Sequence, residues 1–94
     1  MDGRIKIRMN LFPIVTIQLH NLESGDAMDV DYQYIEGVEI IRGKTLVHQL
    51  SPFGTEIRRS FYVQETCGDV RMLIKEARLA FVSAMHNFKA FKSE

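Results

Sequence analysis

One cysteine, two prolines and no tryptophan occur in the 94 residues, and no apolar run approaches the ~20 residues that a membrane-spanning helix needs. Cys67 alone closes no disulfide within the chain, which fits a reducing compartment, so the expected location is cytoplasmic. The residues after Met1 lead into alternating charge rather than into an apolar signal segment, and no membrane partner is expected. An excess of charge of either sign is also missing: twelve Lys and Arg balance twelve Asp and Glu. A protein that binds nucleic acid mainly by neutralising phosphates would carry more bases. Zero net charge also removes one barrier to self-association.

Chemical motifs are equally scarce. Glycine-rich phosphate loops are absent from the sequence, and no cofactor is expected. No two of His20, His48 and His86 stand at metal-ligand spacing, so no metal is expected either. Asp29-Val30-Asp31 matches the start of a calcium loop, but Tyr34 stands where that loop needs glycine and Ile40 where it needs glutamate. Cys67 precedes a predicted helix, a place that can activate a thiol, yet no base oriented by a third group accompanies it. With no constellation that assigns nucleophile, base and stabiliser, the chain is not expected to be an enzyme.

What the sequence does hold is a core. Hydrophobic residues make up 46% of it, in the ordinary globular range, and the length is that of one domain, 1–94. Period-two alternation predicts strands at about 4–9, with Ile5, Ile7 and Met9 inward, and 14–20, with Val15, Ile17 and Leu19 inward. A loop around Ser24-Gly25-Asp26 follows. A third stretch spans 30–41, with Val30, Tyr32, Tyr34, Val38 and Ile40 on one side and a bulge or bend at Gly37. Arg42-Gly43 marks a hairpin into a strand at 44–50. A three-residue loop with Gly43 left-handed would place Val38 opposite Leu46 and gather Val38, Ile40, Leu46 and Leu50 on one face, which also makes His48 a core histidine. Ser51-Pro52-Phe53-Gly54 reads as a turn before the last strand, 56–64, whose inward side holds Ile57, Phe61 and Val63; Arg59 shares that side and must lie at an edge or snorkel out.

At Asp69, a good N-cap, the period becomes helical and continues to about Phe91. The main face reads Val70, Leu73, Ile74, Ala77, Ala80, Phe81, Ala84, Met85, Phe88 and Phe91, at spacings of three and four. The predicted fold is α+β: a curved antiparallel sheet of about five strands, open or barrel-like, with one long C-terminal amphipathic helix packed on it. The order of several strands then one helix resembles that of small single-strand-binding domains of the Whirly type. The resemblance lies in element order alone.

Three surfaces are candidates for function. Acidic residues run from Glu23 to Glu39 with no Lys or Arg between them, and Asp26, Asp29, Asp31 and Glu36 are the expected contacts for a partner protein. Met72, Leu79 and Val82 form a second helical stripe. With Met85, Phe88 and Phe91 they are the expected interface of a homodimer or higher homo-oligomer. Arg4, Lys6 and Arg8, with Arg58 and Tyr62, form the alternative: a basic, partly aromatic sheet face that would hold single-stranded nucleic acid by phosphate contacts and stacking. The leading expectation is a non-enzymatic interaction module acting by surface recognition.

Overall fold

The computed structural model describes residues 3–9, 11–50 and 58–92, with the side chains of residues 58 and 88–92 outside the description. The chain forms β1 (Ile5–Met9), β2 (Pro13–His20) and β3 (Ala27–Asp31), then a short 3-10 turn (Tyr32–Tyr34). It continues as β4 (Ile35–Ile41), β5 (Lys44–Leu50) and β6 (Arg58–Val63), and ends in α1 (Cys67–Lys92). The expected α+β class holds. The strands, however, form two antiparallel meanders, β1-β2-β3 and β4-β5-β6, rather than one sheet.

The division occurs inside the stretch read as one strand over 30–41. Asp31 Oδ1 accepts from the Gln33 backbone N–H at 3.0 Å and caps the 3-10 turn, which carries the chain from the first sheet to the second. The sheets meet again at their far ends. Asn21 bridges Val63, the Gln64 N–H donates to the His20 carbonyl at 2.8 Å, and the Leu22 N–H donates to the Tyr62 carbonyl at 2.9 Å.

The first sheet follows its alternation closely. Ile5 pairs with Ile17 and Ile17 with Val30, so that Val15, Ile17, Leu19 and Val30 all face the helix and are buried. Ile7 and Met9 lie on the same side but stay exposed, because β1 is an edge strand and the helix runs mainly over β2. Pro13 is tolerated as the first residue of β2, where a missing N–H costs least. The loop between β2 and β3 is closed by Asn21 Oδ1, which accepts from the N–H groups of Glu23 and Ser24, and by Gly25 at φ 75°.

The β4–β5 hairpin departs from its expected register. Ile41 pairs with Lys44, Glu39 with Leu46 and Val38 with Val47, so the loop has two residues, Arg42 and Gly43. Both have positive φ, 53° and 77°, as a type I′ turn requires. That turn matches the twist of the strands, and this preference outweighs the grouping of Leu46 with Val38. Arg42 accepts a left-handed conformation in return. A register shift between Ile35 and Gly37 supplies the expected bulge. The inward face of this sheet carries Val38, Val47, Phe61 and Val63, and His48 falls on the opposite face. Arg59 is exposed on β6, an edge strand, as expected. The turn expected at 51–54 and the inward Ile57 lie outside the described residues.

The helix starts two residues earlier than predicted. Thr66, not Asp69, is the cap: its Oγ1 accepts from the Asp69 N–H at 3.1 Å, and its carbonyl accepts from the Val70 N–H at 2.9 Å. Asp69 instead lies in the first turn, where a carboxylate still favours the positive end of the helix dipole. Val70, Leu73 and Ala77 are fully buried against the sheets, with Ile74, Ala80 and Phe81 packed beside them. At 1.5 Å per residue the 26-residue helix is about 39 Å long, more than a five- to eight-residue strand can span. The radius of gyration, 14.4 Å, exceeds the ~12 Å of a compact domain this size, as an overhanging helix demands.

Candidate functional site

Among the described residues a groove of about 830 Å³ opens beside the β1–β2 loop. It forms because four elements converge there. The β1–β2 loop delivers Leu11 and Phe12, which are 80% and 66% exposed. Pro13 and Ile14 open β2 beside them. From the helix comes Phe81, whose ring stands 5.8 Å from Tyr32 of the 3-10 turn, and Tyr34 closes the wall. The polar rim is contributed by Asp29 and Asp31 with Gln33 and Gln49, and among the described residues no Lys or Arg lines it. The site is therefore apolar inside and negative at its edge.

The acidic candidates divide. Asp29 and Asp31 reach the groove. Asp26 precedes β3 at the opposite end, where its N–H donates to Ser24 Oγ at 3.2 Å, and Glu36 sits on the β4 bulge beyond the 3-10 turn. The basic candidates divide as well. Arg4, Lys6 and Arg8 belong to the first sheet and its entry, whereas Arg58 and Tyr62 belong to the second. Lys6 Nζ reaches across to Asp29 Oδ2 at 3.2 Å, so part of the basic strip is paired with the acidic one. Tyr62 has Lys44 Nζ 6.0 Å from its ring centroid, a cation–π contact. The Arg58 side chain lies outside the described residues.

On the helix, Met72, Leu79 and Val82 are all exposed, at 45%, 63% and 59%. At about 100° per residue they fall within roughly 80° of one another and nearly opposite Val70, Leu73 and Ala77. Met85 is half-buried, and the side chains of Phe88 and Phe91 lie outside the described residues.

Two polar clusters lie away from the groove. Glu65, nearly buried, accepts from the His20 backbone N–H at 2.9 Å and from its ring Nδ1 at 2.7 Å. Burial pushes the Glu65 carboxyl up, but the two His20 hydrogen bonds outweigh it and hold the group below the ordinary glutamate value. The pair ties the end of β2 to the approach to the helix. On the outer face of the second sheet, His48 stands between Ser60 Oγ (2.8 Å from Nδ1) and Glu39 Oε1 (2.9 Å from Nε2). The predicted core histidine is thus a half-exposed link across β4, β5 and β6, because the two-residue hairpin turns its side chain outward. Cys67 is buried at the helix start. Among the described residues no group of three or more His, Cys, Asp or Glu is placed to hold a metal ion, and no helix is long and apolar enough to cross a membrane.

Leu11, Phe12, Tyr34 and Phe81 were not singled out as site residues by the sequence. The available signal was Leu11-Phe12 itself: two large apolar residues before a proline, in a turn where polar residues are the rule. Comparisons of the chain with protein families, with curated proteins and with solved structures gave no match.

Proposed function

We propose that this chain is a non-enzymatic interaction module that pairs with a second copy of itself and recognises a partner protein through its surface. The observation that carries this reading is the double apolar character of α1. One face, Val70, Leu73 and Ala77, is consumed by the sheets, while the opposite stripe, Met72, Leu79 and Val82, stays in water. A large aliphatic side chain left exposed forgoes roughly 1.5–3 kcal/mol of burial. A twofold helix–helix contact recovers it for both copies at once. Pairing there leaves the Leu11–Phe12 loop, on a different element, to meet another protein.

Molar mass by light scattering tests the pairing. Wild type at tens of micromolar is expected to be a dimer, and Leu79→Glu a monomer with unchanged circular dichroism. A wild-type monomer at that concentration refutes the pairing; a dimer indifferent to Leu79→Glu moves the contact to a strand edge.

A further inference from the structure

We infer that the groove between the β1–β2 loop and α1 is a docking site for a cationic amphipathic segment of a partner protein, an aromatic or aliphatic anchor with Lys or Arg beside it. The inference rests on the interaction-module reading and names the chemistry of its partner. Its first support is the interior. Pro13, Ile14, Tyr34 and Phe81 give an apolar floor and wall, and the volume of about 830 Å³ falls within the ~300–1,000 Å³ range of sites that take ligand groups. Its second support is the loop. Leu11 and Phe12 sit at the mouth with most of their surface in water, and aromatic residues in such positions carry a large share of binding energy once a partner dries them.

The third support is charge. Two carboxylates, Asp29 and Asp31, stand on the rim, and among the described residues no Lys or Arg lines the groove itself, Lys6 reaching only Asp29 from outside it. Asp31 is held in place, since its Oδ1 accepts from the Gln33 N–H. Asp29 meets Lys6 only at an exposed contact of 3.2 Å, a kind that solvent makes weak and exchangeable. A phosphate backbone or an anionic lipid surface would meet repulsion at this rim, whereas a Lys or Arg next to an apolar anchor would find both halves of its chemistry satisfied. Such segments commonly bind as amphipathic helices laid into a groove.

Fluorescence anisotropy on the full chain tests the inference with a labelled synthetic peptide bearing Leu and Phe on one helical face and Lys on the other. A twin with every Lys replaced by Glu and a single-stranded oligonucleotide are the comparisons. Binding of the Lys peptide is expected, weakened about tenfold or more by Phe12→Ser and several-fold, with a flatter salt dependence, by Asp31→Asn, which keeps the Gln33 hydrogen bond. The Glu twin and the oligonucleotide are expected to bind far more weakly. Equal binding of the Glu twin, indifference to Phe12→Ser, or oligonucleotide binding that Phe12→Ser removes would each overturn the inference. The Leu79→Glu variant separates the groove from self-pairing: retained peptide binding by that variant supports a groove complete within one copy. Loss of binding together with loss of the dimer mass overturns it.

Discussion

The two sheets have the same three-strand antiparallel meander, but burial is distributed differently in them. In the first, the side of β2 that meets the helix is dry, with Ile5 of β1 and Val30 of β3 buried beside it: β2 alternates buried and half-buried along all eight residues. In the second, β5 is buried at three successive positions, Thr45, Leu46 and Val47, on both of its faces, while Ile40 on neighbouring β4 is exposed. The first sheet draws its stability from the helix. The second depends more on its own cross-strand pairs, its turn and the polar link through His48.

The strongest way to sharpen that contrast is truncation in each sheet. Ile17→Ala, at a fully buried site beneath the helix, should cost about 2–5 kcal/mol. Val38→Ala, half-buried in the second sheet, should cost about 1 kcal/mol or less. Urea unfolding of both variants reads the difference, and equal losses would break the comparison.

Next in size is Glu65→Gln, which weakens the join between the sheets and should cost about 1–3 kcal/mol. Its pH signature has a definite sign. Because the folded carboxyl is held below its ordinary value, its contribution is complete above that value and disappears as pH falls through the lowered one. Stability of wild type and variant, measured from pH 7 to pH 3, should therefore converge on acidification. A constant gap would mean that the ionised carboxylate does not set it.

Gly43→Ala tests the turn of the second sheet alone. With Gly43 at φ 77°, a Cβ there should cost about 1–2 kcal/mol, even though open space surrounds the position. The smallest effect belongs to the exposed pair of the first sheet. Lys6→Gln should change the unfolding midpoint by no more than about 0.5 kcal/mol equivalent, and a larger loss would show that charge, not the helix, holds β3 in place.

This difference also explains what the sequence made legible. Val15, Ile17 and Leu19 announced their face because water on one side and helix on the other enforce a period of two. The helix face was readable from Val70 to Met85 for the same reason. Where β5 is dry on both faces, parity carries no such information. Grouping Leu46 with Val38 was then reasonable on hydrophobicity, and it failed because the backbone twist of a two-residue turn decided the register. The cap was misplaced by three residues because both Thr66 and Asp69 suit the role, and only geometry shows which side chain accepts. Asp29 and Asp31 stand out in the sequence by charge alone. The apolar lining of the groove beside them is not legible, because Phe12 and Phe81 are sixty-nine positions apart and only the packing of α1 near the β1–β2 loop puts both in one groove.

The closure between His20 and Glu65 has a consequence for the order of assembly. Every strand pair within a meander joins sequence neighbours, so each can form from local contacts at small entropic expense. The His20–Glu65 contact instead spans 45 positions, and the chain must surrender the freedom of that whole loop before the contact is made. Long-range contacts of this kind slow folding more than they limit stability. The two meanders are expected to form early and separately, with the β2–β6 join and the helix start condensing in the rate-limiting step. Substitutions at Glu65 or Val63 should then slow refolding, while Gly43→Ala should act on refolding only as far as its hairpin belongs to that step.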